Sequence, residues 1–173
     1  MTRRLTLLTL ALTGSVLAVT YAQGGPTRVR AELQGLNEVP AVSTPASGRF
    51  RAVIDERGER VSYELSYSNL QADVLMSHIH IGQPDVNGGI MVWLCGTSSN
   101  PGPAGTQVCP GPRDGVVTGE FTAADVQLVM TQGIAPGEFA EVIQAIRNGI
   151  AYVNVHTQQS PGGEIRGQVR PGQ

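Results

Sequence analysis

Apolar residues recur at every second position through much of this chain, and that period decides what it can fold into. In "RVRAEL", Val29, Ala31 and Leu33 alternate with Arg28, Arg30 and Glu32. "GRFRAVID" places Phe50, Ala52 and Ile54 on one side, and "RVSYELSYSNL" does the same with Val61, Tyr63, Leu65 and Tyr67. Such alternation marks half-buried strands, and "DERGER" between the last two marks a hairpin turn. Further strands are expected at "VLMSHIHIG", "GIMVWLC", "GVVTGEF", "GIAYVNVHT" and "EIRGQV". About eight short strands separated by Gly/Pro turns predict an all-β chain. The expected architecture is an antiparallel Greek-key β-sandwich or barrel.

One region departs from period two. "TAADVQLVMTQG" opens with a capping-box signature, Thr122 with Asp125 three residues on. "FAEVIQAIRNG" spaces Phe139, Val142, Ile143 and Ile146 at i, i+3, i+4 and i+7, with Gly149 as a stop. One or two short helices inserted between strands are expected, covering an end of the core.

The first residues, "MTRRLTLLTLALTGSVLAVTYAQGG", have a basic start, a short apolar run and small residues before Gln23. That layout predicts a signal peptide over residues 1–22, cleaved after Ala22, and a single exported domain over residues 23–173. No later stretch has spanning length, so no membrane span is expected after cleavage. Taking Arg3 and Arg4 from the 12 basic residues leaves ten against 14 acidic ones, a net charge near −4, and no lysine occurs. With that balance a nucleic-acid partner is not expected. Cys95 and Cys109 bracket a Gly/Pro-rich loop. In an exported protein they are expected to form a disulfide, because metal-binding thiolates are usually spaced more closely. The expected location is therefore secreted or periplasmic.

The chain has three histidines. His78 and His80 are two apart in one strand and project together, while Ile79 and Ile81 project the other way, toward the core. In "AYVNVH", Val153 and Val155 take the core face, so Tyr152, Asn154 and His156 face outward. In "GEIRGQV", Ile165 and Val169 face the core, and Glu164, Arg166 and Gln168 face out. His78, His80 and His156 thus share the outward side at strand ends. A pair at i and i+2 with a third from a neighbouring strand can direct three imidazole nitrogens at one transition metal. Arg166, also expected at the surface, is read as pairing with Glu164 or another carboxylate.

Three segments carry a family resemblance: "LQGLNEVPAVSTPASGRFRAVI", "SHIHIGQPDVNGGIMVWL" and "NGIAYVNVHTQQSPGGEIRGQV". Together they resemble the CHRD domain, found as repeats in chordin and as single copies in secreted bacterial proteins. The resemblance runs from about Val29 to Val169 and implies an exported β-sandwich module, without settling an activity. Because the protein around these repeats in chordin binds growth factors, it also suggests a binding scaffold.

At the level of the site alone, the chain is similar to copper–zinc superoxide dismutases. These are Greek-key barrels with an HxH copper pair, a later Val-His and a downstream arginine. The matching positions are His78, His80, His156 after Val155, and Arg166. No histidine remains for a bridging ligand or a zinc site, so the resemblance implies a copper-only arrangement.

Three readings of function follow. The first is a metal-binding module that takes copper, or zinc as the alternative, through His78, His80 and His156. The second is a superoxide dismutase-like enzyme in which Arg166 attracts the anion beside the metal. The third is a non-enzymatic module that holds an extracellular or envelope protein partner through "GLNEVPAVSTP" and the cysteine loop.

Overall fold

The computed structural model describes residues 27–172 apart from Glu56 and Gly58, so the expected signal peptide lies outside the described residues. Among the described residues, no helix is long and apolar enough to cross a membrane.

The period-two segments form strands where expected. They are β1 (Thr27–Gln34), β2 (Ser47–Asp55), β3 (Arg60–Ser68), β4 (Val74–Ile81), β5 (Ile90–Cys95), β6 (Gly115–Thr122), β7 (Ala151–Thr157) and β8 (Ile165–Gln168). A two-residue strand, β9 (Arg170–Pro171), pairs with β1 and has no sequence signal. The hairpin at "DERGER" is present, with Asp55 opposite Arg60.

The strands join in the order β5-β4-β7-β8-β1-β2-β3-β6, all antiparallel. Edge strands β5 and β6 then approach each other across a seam, closing the sheet into a near-barrel with a Greek-key crossover between β6 and β7. At the seam, Tyr63 Oη donates to Leu94 O, and a parallel bridge joins Gly96 to Val108. The Cys95–Cys109 disulfide sits beside that bridge, as expected. The inward side chains Leu33, Phe50, Ile54, Leu65, Ile79, Val153, Val155 and Ile165 fill the interior.

The insert between β6 and β7 is less helical than its pattern. Helix α1 (Phe139–Arg147) forms and buries Val142, Ile143, Ala145 and Ile146. Gly149 follows it with a φ of +67°, a conformation suited to glycine after a helix end. The capping box at Thr122 also forms, with Asp125 accepting from the Thr122 amide, but it starts only a 3₁₀ turn over Ala123–Asp125. The amide of Gln127 is taken by Met91 O of β5, so the helical ladder cannot propagate.

Candidate metal centre

Register builds the site. On the β4–β7 ladder Met76 faces His156, His78 faces Asn154 and His80 faces Tyr152; on the next rung Asn154 faces Arg166 of β8, and Trp93 of β5 flanks His78. Residues directly opposite on antiparallel strands share a face. The outer faces of β4, β7 and β8 therefore carry one continuous block of polar and aromatic side chains, while Ile79, Val153 and Val155 line the interior.

The expectation that this face is open to solvent is corrected. His78, His80, His156 and Arg166 are all buried, with His78 fully so. Three loops form a second layer over the sheet. The loop of residues 82–89 brings Gly88 O to His80 Nδ1 at 2.9 Å, and its Gly88 amide donates to Tyr152 Oη. The turn after β7 brings Pro161 O to His156 Nδ1 at 2.9 Å. The segment after β1 adds Asn37, which donates to Arg166 O, and Glu38. Strand alternation identifies which side leaves the barrel, but not what later folds across it.

The two carbonyl contacts fix the tautomers. A carbonyl only accepts, so His80 and His156 carry their protons on Nδ1, and the Nε2 lone pairs are left for the cluster. His156 Nε2 lies 3.2 Å from His78 Nδ1 and 3.0 Å from Asn154 Oδ1; with its proton on Nδ1 this nitrogen faces a second acceptor unless the Asn154 amide turns its NH₂ toward it. His80 Nε2 and His78 Nε2 are buried with no hydrogen-bond partner. The single proton of a neutral His78 cannot satisfy both of its nitrogens and His80 as well. Buried lone pairs are left over in either tautomer, a costly arrangement for polar atoms away from water.

Protonation does not relieve it. Burial lowers the pKa of His78 to about 2 and of His80 to about 4, with the neighbouring imidazoles adding repulsion. Burial likewise lowers that of His156. All three rings are therefore neutral near pH 7, the state in which imidazole ligates metals. One nitrogen from each lies within 4.8 Å of the others.

Around the rings, His80 stacks on Tyr152 at 4.7 Å and 4°, and Trp93 meets His78 edge-on at 4.2 Å. Arg166 lies over the Tyr152 ring at 3.4 Å. Its guanidinium donates to Asn87 Oδ1, Gln83 O and Val86 O, tying down the loop of residues 82–89. The expected pairing with Glu164 is not made. Both Glu164 oxygens accept elsewhere, from Thr44, the Gln71 amide and Thr157. At 1% exposure Arg166 has no open guanidinium with which to meet an anion.

Besides Glu164, Glu38 is a second buried carboxyl on this side. Burial raises its pKa to about 7 against the opposing pull of Arg166. Its Oε1 has no partner. The sequence placed Tyr152 and Asn154 on the correct face by even spacing but gave them no role. Glu38 showed only as part of "NEVP", and the contributions of Gly88 and Pro161 are backbone carbonyls that no side-chain pattern reveals.

The comparisons with known proteins agree with the fold. The family model for the CHRD domain matches residues 29–169. No curated protein matches the chain. With nearly the whole described barrel inside that match, the protein belongs to the CHRD domain family.

Proposed function

We propose that this protein is an exported CHRD module that binds one copper ion through His78, His80 and His156. The observation that carries the reading is the set of buried imidazole lone pairs left without partners once Gly88 and Pro161 have fixed two of the rings. Carbonyl acceptors on the far nitrogen are the usual outer partners of metal-binding histidines, orienting the ring and raising its basicity. Two nitrogens bound to one ion at about 2.0–2.1 Å, at a tetrahedral angle, stand roughly 3.3 Å apart. The His78–His156 separation of 3.2 Å already suits such a pair, and one nitrogen from each of the three rings lies within 4.8 Å of the others.

Copper is preferred over zinc because three neutral imidazoles with no thiolate or carboxylate follow the ordinary affinity order, in which Cu²⁺ exceeds Zn²⁺. The seam disulfide and the family support an extracellular or periplasmic location. The protein's own residues orient the rings and exclude water around them; the ion would supply an electrophilic, redox-capable centre when bound.

Isothermal titration of the metal-free protein with Cu²⁺ tests the reading. The expected result is one site in the parent, with His78→Ala and His156→Ala each weakening it at least about 100-fold. Equal affinity in parent and variants would overturn it.

A further inference from the structure

On the outer face of β4 the residues two apart are Met76, His78 and His80, and Met76 stands directly opposite His156 on β7. Its rung therefore adjoins the His78–Asn154 rung on the same side of the sheet. The three histidines are buried, whereas Met76 is only partly buried. It stands at the end of the cluster away from the loop of residues 82–89, which is held over the other end by His80, Tyr152 and Arg166; the turn after β7 reaches this end through Pro161 O on His156. Directly opposed residues have β-carbons about 4.5–5.5 Å apart, within reach of a thioether on a three-bond side chain. Among the described residues, the histidine cluster gathers no cysteine, aspartate or glutamate as a fourth ligand.

We propose that Met76 supplies a thioether ligand beside His156 in the three-histidine site, so that the site takes cuprous copper in an N₃S set. The inference rests on the reading of His78, His80 and His156 as ligands and extends it to the oxidation state and the route of entry. A thioether is soft and uncharged, needs no deprotonation, and discriminates toward Cu⁺ and away from Zn²⁺ and Ni²⁺. Its flexible, only partly buried side chain is suited to meeting the ion before the rigid, buried rings do. The thioether shifts the preference of the site from the Cu²⁺ that three imidazoles alone can bind toward Cu⁺, and the proposal involves no electron transfer.

Met76→Leu keeps volume and hydrophobicity while removing the sulfur. The experiment is anaerobic competition for Cu⁺ against a chromophoric cuprous chelator, with parallel Zn²⁺ titrations and X-ray absorption at the copper edge. The expected result is Cu⁺ binding about tenfold or more weaker in Met76→Leu, with Zn²⁺ affinity within about twofold of the parent. The parent should show sulfur in the copper coordination shell that the variant lacks. Equal Cu⁺ affinity in the two proteins, with no sulfur around copper in the parent, overturns the thioether and leaves the histidine site standing. A parent that takes up neither copper nor zinc overturns both.

Discussion

Gly163 has a φ of +128°, and a β-carbon on it would lie 2.4 Å from Glu38 Oε1. The backbone of the turn after β7 is thus fitted around the buried carboxyl, two residues from the carbonyl that orients His156. Gly163→Ala is expected to destabilise the fold by about 1–3 kcal/mol; an unchanged urea midpoint would contradict that fit. The buried titrating groups set a pH dependence for the metal-free protein. Below the ordinary histidine value of 6.5 the unfolded chain binds protons at His78, His80 and His156 that the folded chain refuses, so stability falls with pH. Glu38 works in the opposite sense. The folded chain keeps its proton up to about pH 7 while the unfolded chain releases it near 4.5, so that contribution is lost as pH rises across the interval. Three groups outweigh one, and each net proton changes stability by up to about 1.4 kcal/mol per pH unit. Urea unfolding should show lower stability at pH 5.5 than at pH 7.5; equal or higher stability at pH 5.5 would contradict the burial of neutral rings. The pairing of His78 with His80 and the shared face with His156 were legible from period two alone. Their burial was not, because it depends on loops whose sequences carry no periodicity.

At the scale of elements, the loop of residues 82–89 and helix α1 make separate contributions. Gly88 lies so close to Ile81 O that no side chain fits there, and the loop is held by the Arg166 hydrogen bonds. Arg166→Met, which retains much of the apolar stem, should leave the barrel folded and release the loop. Amide exchange at Gly88 is then expected to accelerate at least about tenfold while β2 and β3 remain protected. Uniform acceleration throughout the sheet would instead give Arg166 a global role. Ile146 is the 1%-exposed anchor of α1, and Ile146→Ala should cost about 2–5 kcal/mol in chemical unfolding. Strand positions and this helix were readable because periodicity and burial coincide in them. The segment after Thr122 was not readable as a 3₁₀ turn. Its capping box is genuine, but β5 captures the Gln127 amide, and a tertiary hydrogen bond of that kind leaves no local signature.

For the whole molecule, the sheet closes except at the β5–β6 seam, and the Cys95–Cys109 disulfide ties the connection between those strands at that point. Replacing both cysteines with serine should cost roughly 3 kcal/mol, chiefly through the freedom returned to the unfolded chain. The histidine cluster adjoins the base of that loop, with Ser77 opposite Cys95 and Trp93 edge-on to His78, so a change in metal affinity in the same variant would report coupling through β5. If the barrel exists in part to hold three neutral imidazoles around an ion, the ion must stabilise it in turn by mass action. At 100 times the dissociation constant, that gain is about 2.7 kcal/mol. The most direct measurement is the metal content of the purified protein after exposure to copper and dialysis, by elemental analysis beside a variant with all three histidines replaced by alanine. One copper per chain in the parent and none in the variant is the predicted result. Copper absent from both, or bound equally by both, would contradict the account and leave His78, His80 and His156 as packing between the barrel and its loops.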